Sequence, residues 1–278
     1  MSAVLIFIFG LFIGSFLNVL VDRIPRGETV IKGHSHCEFC KKNLAWYDLI
    51  PVLSFLSTFG KCRYCKHSLS LLYPTIEITT GILFALTYIF AISNFKFLIF
   101  NQIPNPNSLI INPLSFITLI YYLFIMSVFV VIFFTDLKSG IIPDKILLPA
   151  VIVSFAYLLI FNFKFLILNS LCGVAAFLFF IIISVAFSAL TKKDSMGGGD
   201  IKLAFFLGLF LGFPNMIISL YVAFLTGALT GIILIIWRKK SFGKATLPFG
   251  PFLVLGAIIS LFFGNIIYLQ ALHVLGLL

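Results

Sequence analysis

The sequence predicts an all-α polytopic membrane protein with about eight transmembrane helices, and three observations carry that prediction. First, 61% of the 278 residues are hydrophobic and only 10% are charged. A soluble domain of this length cannot bury so much apolar surface. Second, the apolar residues fall in runs of bilayer-crossing length, which takes about 20 residues per helix. Third, the formal charge of +10 is unevenly placed: 17 of the 19 Lys and Arg lie in four polar segments, 22–74, 137–145, 191–202 and 237–249. This is the positive-inside pattern, and it assigns those segments to the cytoplasm. The net charge then reports topology, and no nucleic-acid partner is expected.

Taken in order, the first span is 1–21. It has no basic start and no small-residue cleavage site, so it reads as a retained helix rather than a signal peptide. Residues 22–74 form the longest polar segment. Span two is 75–93, and the Pro-rich stretch 94–113 is an outer loop. Span three is 114–135, ending at Asp136. Span four is 146–161, followed by an outer turn at Asn162, Phe163 and Lys164, and span five is 165–190. Spans six and seven share 203–237, which Gly212 and Pro214 break into a short helix and a longer one. Span eight is 248–269. This count puts all nine acidic residues inside or at the inner boundary. The expected domains are the first helix 1–21, the cytoplasmic segment 22–74, and a membrane bundle 75–278 that carries the acidic site described below.

Two C-x-x-C knuckles, Cys37/Cys40 and Cys62/Cys65, punctuate the cytoplasmic segment. Each offers two thiolates from one tight turn, and two such turns close a tetrahedral S₄ shell suited to zinc. Lys41, Lys42, Lys61, Arg63 and Lys66 offset the thiolate charge. The segment is too small for a good hydrophobic core, so metal binding would supply its folding energy. A redox dithiol or disulfides are the rivals. No αβ unit surrounds the knuckles, and a cytoplasmic face disfavours disulfides. With four ligands the zinc is expected to be structural, completing the fold class: a helical bundle with a small zinc-knuckle segment. His34 and His36 are reserve ligands at most, and Cys172, alone inside span five, is read as packing.

Met196, Gly197, Gly198, Gly199 and Asp200 open span six. Bare backbone there allows a peptide to approach closely. Asp136 closes span three at the same boundary, where a helix C-terminus disfavours a carboxylate. Two adjacent carboxylates cannot both ionise easily, so one holds a proton while the other is charged. Such a pair can activate water against a peptide carbonyl and protonate the departing amine. The bland alternatives are a solvated helix end for Asp136 and a dipole-favoured helix start for Asp200. Asp144, after Pro143, reads as an N-cap. Lys138 and Lys202 either follow the inside rule or tune the pair. Glu77, at the start of span two, reads first as a carboxylate favoured by the helix dipole, and second as a group contacting an amine or a methyl donor.

These residues resemble the type IV prepilin peptidases, membrane aspartyl proteases of the GxGD type. The resemblance covers nearly the whole chain. It runs through Gly10 to Val19 with Arg23-Ile24-Pro25, both knuckles, Leu49 to Ser54, and Tyr73 to Glu77. It continues through Asp136 with Ile142-Pro143-Asp144, Gly197 to Asp200 with Lys202, and Pro248 to Phe252. GxGD alone is weak, but all of these in order are specific. Glu38 stands where the family would have Pro.

The resemblance implies catalytic roles for Asp136 and Asp200, and zinc ligation by Cys37, Cys40, Cys62 and Cys65. It implies a bacterial inner (cytoplasmic) membrane enzyme with its site facing the cytoplasm. Such an enzyme removes the basic leader of prepilins and pseudopilins after a Gly and N-methylates the new terminus with S-adenosylmethionine. The zinc segment is expected to help present the leader, and the substrate's apolar helix to enter the bilayer beside spans three and six. No Rossmann glycine fingerprint marks a methyl-donor site, and nothing in the sequence fixes an oligomeric state. Two rivals come from other classes. A proton-coupled transporter would use the same carboxylates as a relay, but the acids cluster on one side. A zinc-knuckle pilus assembly factor would not cut at all.

Overall fold

The computed structural model describes residues 2–30, 35–93, 113–191, 197–237 and 248–274. The expected outer loop 94–113 (apart from Pro113), His34, Met196 and most of the fourth basic segment lie outside these residues. The described residues form helices joined by short connections. They fall into two compact units, Met1–Val131 and Ile132–Leu278.

The first unit is built on α1 (Ala3–Arg23) and α3 (Leu72–Ser93). Ser2 accepts the Leu5 N–H and caps α1. Gly10 and Gly14, one turn apart, let the two backbones meet. A Cβ on Gly10 would lie 2.8 Å from Gly81 Cα, and one on Gly14 would lie 2.7 Å from Glu77 Cα. Small residues at such crossings permit the close contact that drives helix association in lipid, where no hydrophobic effect operates. Ile6, Leu17, Val21, Ile76 and Phe84 fill the remaining space. Between the helices the chain forms the two knuckles, a 3-10 turn at Trp46–Leu49, and a short α2 (Leu53–Ser57).

Helix α4 (Pro113–Ser139) begins in the first unit and ends in the second. It runs past Asp136 and stops at Gly140, whose φ of +65° suits glycine at a helix end. The second unit continues with α5 (Asp144–Phe161), α6 (Phe163–Thr191), α7 (Gly198–Leu211), α8 (Asn215–Ile236) and α9 (Gly250–Val274). The predicted three-residue turn after span four shrinks to Asn162, because α6 already starts at Phe163.

Helix α7 is the hub of this unit, packing against α5, α6, α8 and α9. Leu203, Ala204, Phe206, Leu207 and Leu209 are all but inaccessible. Gly208 meets Gly173 of α6 so closely that an added Cβ would lie 2.6 Å from Gly173 Cα. Gly212, with a φ of +63°, ends α7 ahead of Pro214.

Among the described residues, seven helices are long and apolar enough to cross a membrane. The remaining expected span, span six, corresponds to α7 and has 14 residues. At 1.5 Å per residue it reaches about 21 Å, short of a hydrocarbon core of about 30 Å. Although the helix packs against four others, its N-cap Gly197 and first residue Gly198 are exposed and Asp200 is only partly buried.

Candidate active site and metal centre

Asp136 sits in the last turn of α4 with a relative exposure of 4%. A solvated helix end, the bland sequence reading, is therefore wrong: the helix continues to Ser139 and the carboxylate turns inward. Its neighbour is the start of α9. The Gly250 N–H donates to the carboxylate, while Oδ2 is buried without a hydrogen-bond partner. A Cβ at position 250 would lie 2.6 Å from Oδ2, so only glycine leaves room for the acid.

Aromatic packing holds Gly250 in place. The Phe249 ring lies 5.3 Å from Phe224 and 6.2 Å from Phe180, centroid to centroid. The late proline-glycine motif thus positions the backbone against Asp136, a role its sequence did not reveal.

Asp200 occupies the first turn of α7, where the helix dipole favours negative charge. Gly197 is the N-cap, and its carbonyl accepts the Asp200 N–H at 3.1 Å. Asp136 is close enough for its charge to act on Asp200. Ile142 ties the two helix starts together. A Cβ on Gly199 would fall 2.9 Å from Ile142 Cβ, and one on Gly250 would fall 3.1 Å from Ile142 Cδ1. The three glycines therefore differ in kind. Gly199 is required by packing, whereas a Cβ on Gly198 meets nothing within 4 Å and one on Gly197 makes only ordinary contact. Gly197 and Gly198 present open backbone beside the acid.

Asp144 does not cap α5 as the sequence suggested. Pro143 is the N-cap position and supplies no side-chain bond. Asp144 instead takes both its oxygens to Lys202 Nζ, at 2.9 and 2.8 Å. Lys202 is thus engaged by a surface carboxylate.

The four knuckle cysteines lie with their sulfurs within 4.8 Å of one another, and the group could hold a metal ion. Cys37 and Cys65 sulfurs are 3.9 Å apart, against about 3.8 Å for a tetrahedron with 2.3 Å Zn–S bonds. Each knuckle is made the same way. The N–H of Lys41 returns to Cys37 O at 2.9 Å, and that of Lys66 to Cys62 O at 2.9 Å. Both lysines are left-handed, with φ of 56° and 60°. Burial works against the Cys62 thiolate, but the Cys65 and Tyr64 backbone N–H groups and the neighbouring thiols bring it down to about 7. The donor set therefore fits zinc. Glu38, the residue out of pattern in the first knuckle, pairs with Arg26 at 2.7 Å. Arg63 is held by Asp48 at 2.8 Å.

Glu77 is not a helix-start carboxylate. It lies in the second turn of α3 with a relative exposure of 7%. It accepts from the Val52 N–H at 2.7 Å and from Asn18 Nδ2 at 3.5 Å. The sequence reading assigned Asn18 no part, although a polar residue inside an apolar span was the available signal.

Sequence comparisons converge with this geometry. The bacterial peptidase A24 N-terminal domain matches residues 8–91, and the type IV leader peptidase family matches residues 123–232. A prepilin leader peptidase/N-methyltransferase of Bacillus subtilis (strain 168) is 31% identical over 94% of this chain and 94% of its own length. Proteins of the same name from Burkholderia pseudomallei (strain 1026b) and Aeromonas hydrophila are each 29% identical over 94% of this chain, covering 85% and 90% of the relatives. No solved structure matches. Both halves of the chain match the family, and a relative aligns from end to end: the chain belongs to the type IV leader peptidase family.

Proposed function

We propose that this chain is a bifunctional enzyme of the bacterial inner membrane. It cuts the basic leader from prepilins and pseudopilins after Gly at the cytoplasmic boundary, then N-methylates the exposed terminus. The observation that carries the reading is the buried Asp136, with one unpaired oxygen, set beside Asp200 and next to open glycine backbone. A carboxylate pair of this kind shares one proton. The ionised member takes a proton from water as the oxygen attacks the scissile carbonyl, and the protonated member gives its proton to the departing amine. General acid–base help of this sort contributes about 10²–10⁴-fold. Backbone at Gly197 and Gly198 can lie against an extended substrate without side-chain obstruction. Cys37, Cys40, Cys62 and Cys65 would hold a structural zinc that folds the first unit's polar segment. S-adenosylmethionine supplies the methyl group for the second activity.

The test is cleavage of a prepilin in membranes by the native chain, Asp136→Asn and Asp200→Asn. Asn keeps the size and removes the titrating proton. Each single change should abolish cleavage while insertion and zinc content persist. Continued cutting by both variants would refute the dyad.

A further inference from the structure

The first unit contains a second buried acidic site that the proteolytic chemistry does not use. Glu77 and Asn18 are each 7% exposed, facing one another where Gly14 brings α1 onto α3. Asn18 Nδ2 is committed to the Tyr73 carbonyl at 3.2 Å and to Glu77 Oε1 at 3.5 Å. Its Oδ1 is buried with no hydrogen-bond partner. Glu77 takes no part in any ion pair among the described residues. A buried carboxylate without a cation is costly.

The turn above the pair is strained. Val52 has φ 60° and ψ −48°, and the Leu53 N–H bonds back to the Pro51 carbonyl. This is the γ-turn of positive φ, rare for any residue and an outlier for a β-branched one. The Glu77 carboxylate holds it in place through the Val52 N–H. Strain persists where the surroundings over-determine it, commonly at sites that bind or react.

The Ser15 hydroxyl also engages Glu77, and the capacity left at this spot is all acceptor: the Asn18 carbonyl and the remaining lone pairs of Glu77. Its complement is a compact cation bearing N–H donors, and an ammonium has such donors and no acceptor. We propose that Asn18 and Glu77 seat the α-amine that receives the methyl group. This rests on the N-methyltransferase reading above. At the seat, Asn18 Oδ1 and Glu77 orient the nitrogen. Its lone pair forms the N–C bond as the S–C bond of a sulfonium donor breaks, the bonding pair staying on sulfur as a thioether. The lone pair is freed beforehand, when the Glu77 carboxylate takes one proton from the bound ammonium, and the product is a methylammonium.

The experiment uses the full chain in lipid nanodiscs and two substrates. One is a prepilin, for cleavage. The other is a synthetic apolar peptide with a free N-terminal Phe, which needs no cleavage, with its N-acetyl form as control. Mass spectrometry reads cleavage and methyl gain separately. Glu77→Gln keeps an acceptor for Val52 and removes the charge. It should slow methylation of the free-amine peptide by about 10²-fold or more and weaken that peptide's binding, leaving prepilin cleavage and zinc content as in the native chain. Unchanged methylation would overturn the seat. Weakened binding of S-adenosylmethionine alone, with peptide and S-adenosylhomocysteine unaffected, would also overturn it, placing the donor's sulfonium there instead.

If Glu77→Gln also loses zinc or cleavage, Asn18→Ala decides, because the Val52–Glu77 bond remains. Methylation lost with cleavage kept supports the seat, and both kept or both lost refutes it. A native chain that cuts prepilin but neither binds nor methylates the peptide refutes the seat and leaves the peptidase reading standing.

Discussion

Gly250→Ala is the sharpest perturbation of the proposed dyad, because it adds one methyl group and removes no functional group. The new Cβ would lie 2.6 Å from Asp136 Oδ2 and 3.1 Å from Ile142 Cδ1. Ordinary contact begins at about 3.4 Å, so the carboxylate must yield by roughly 0.8 Å, since Phe249 anchors the α9 start among other rings. Displacement of about 1 Å in a reacting group can cost on the order of 10²-fold in rate. Gly250→Ala should therefore lower prepilin cleavage by about that factor, mainly in kcat, with the chain still inserted and still zinc-loaded. Gly231→Ala is the control. It lies in α8 with nothing within 4 Å of the added Cβ, and replacing a helical glycine stabilises by about 0.5–1 kcal/mol. Cleavage by Gly250→Ala at the rate of Gly231→Ala would refute the claim that this glycine makes room for Asp136.

Gly199→Ala should impair cleavage through its clash with Ile142, whereas Gly198→Ala should fold normally and show its effect in KM; equal kcat losses in the two would contradict the packing distinction. Breaking the Lys202–Asp144 pair with Lys202→Ala should change thermal stability by no more than about 1 kcal/mol, because both side chains are more than half exposed; a collapse in cleavage would show that Lys202 acts on the dyad after all. Stripping metal with a chelator, or Cys62→Ser, should reduce bound zinc and expose the 35–70 segment to protease, with helices of the second unit unaffected. Cys172→Ser should leave zinc content unchanged, since its sulfur is outside the metal cluster.

Some of this was readable directly from the chain. Hydrophobic runs and the placement of Lys and Arg sufficed for the helical membrane class, because each span must satisfy its own backbone hydrogen bonds in lipid. The C-x-x-C spacing sufficed for the four-cysteine cluster that could hold a metal ion, since ligand geometry is local to two tight turns. The GGGD run and Asp136 were legible as the candidate pair because carboxylates at a membrane boundary are conspicuous.

Other features depend on which helices meet. Asp144 looked like a cap, yet Lys202, 58 residues away, claims it. Glu77 looked like a helix-start charge, yet the Val52 N–H and Asn18 enclose it. Gly250 was a motif without a role until α9 was set against Asp136. The sequence by itself determined the helical membrane class and the four-cysteine cluster, and offered the two acids as candidates. Only the tertiary structure decided their burial, their neighbours and which glycine is indispensable, because desolvation and steric clearance arise from contacts between residues far apart in the chain.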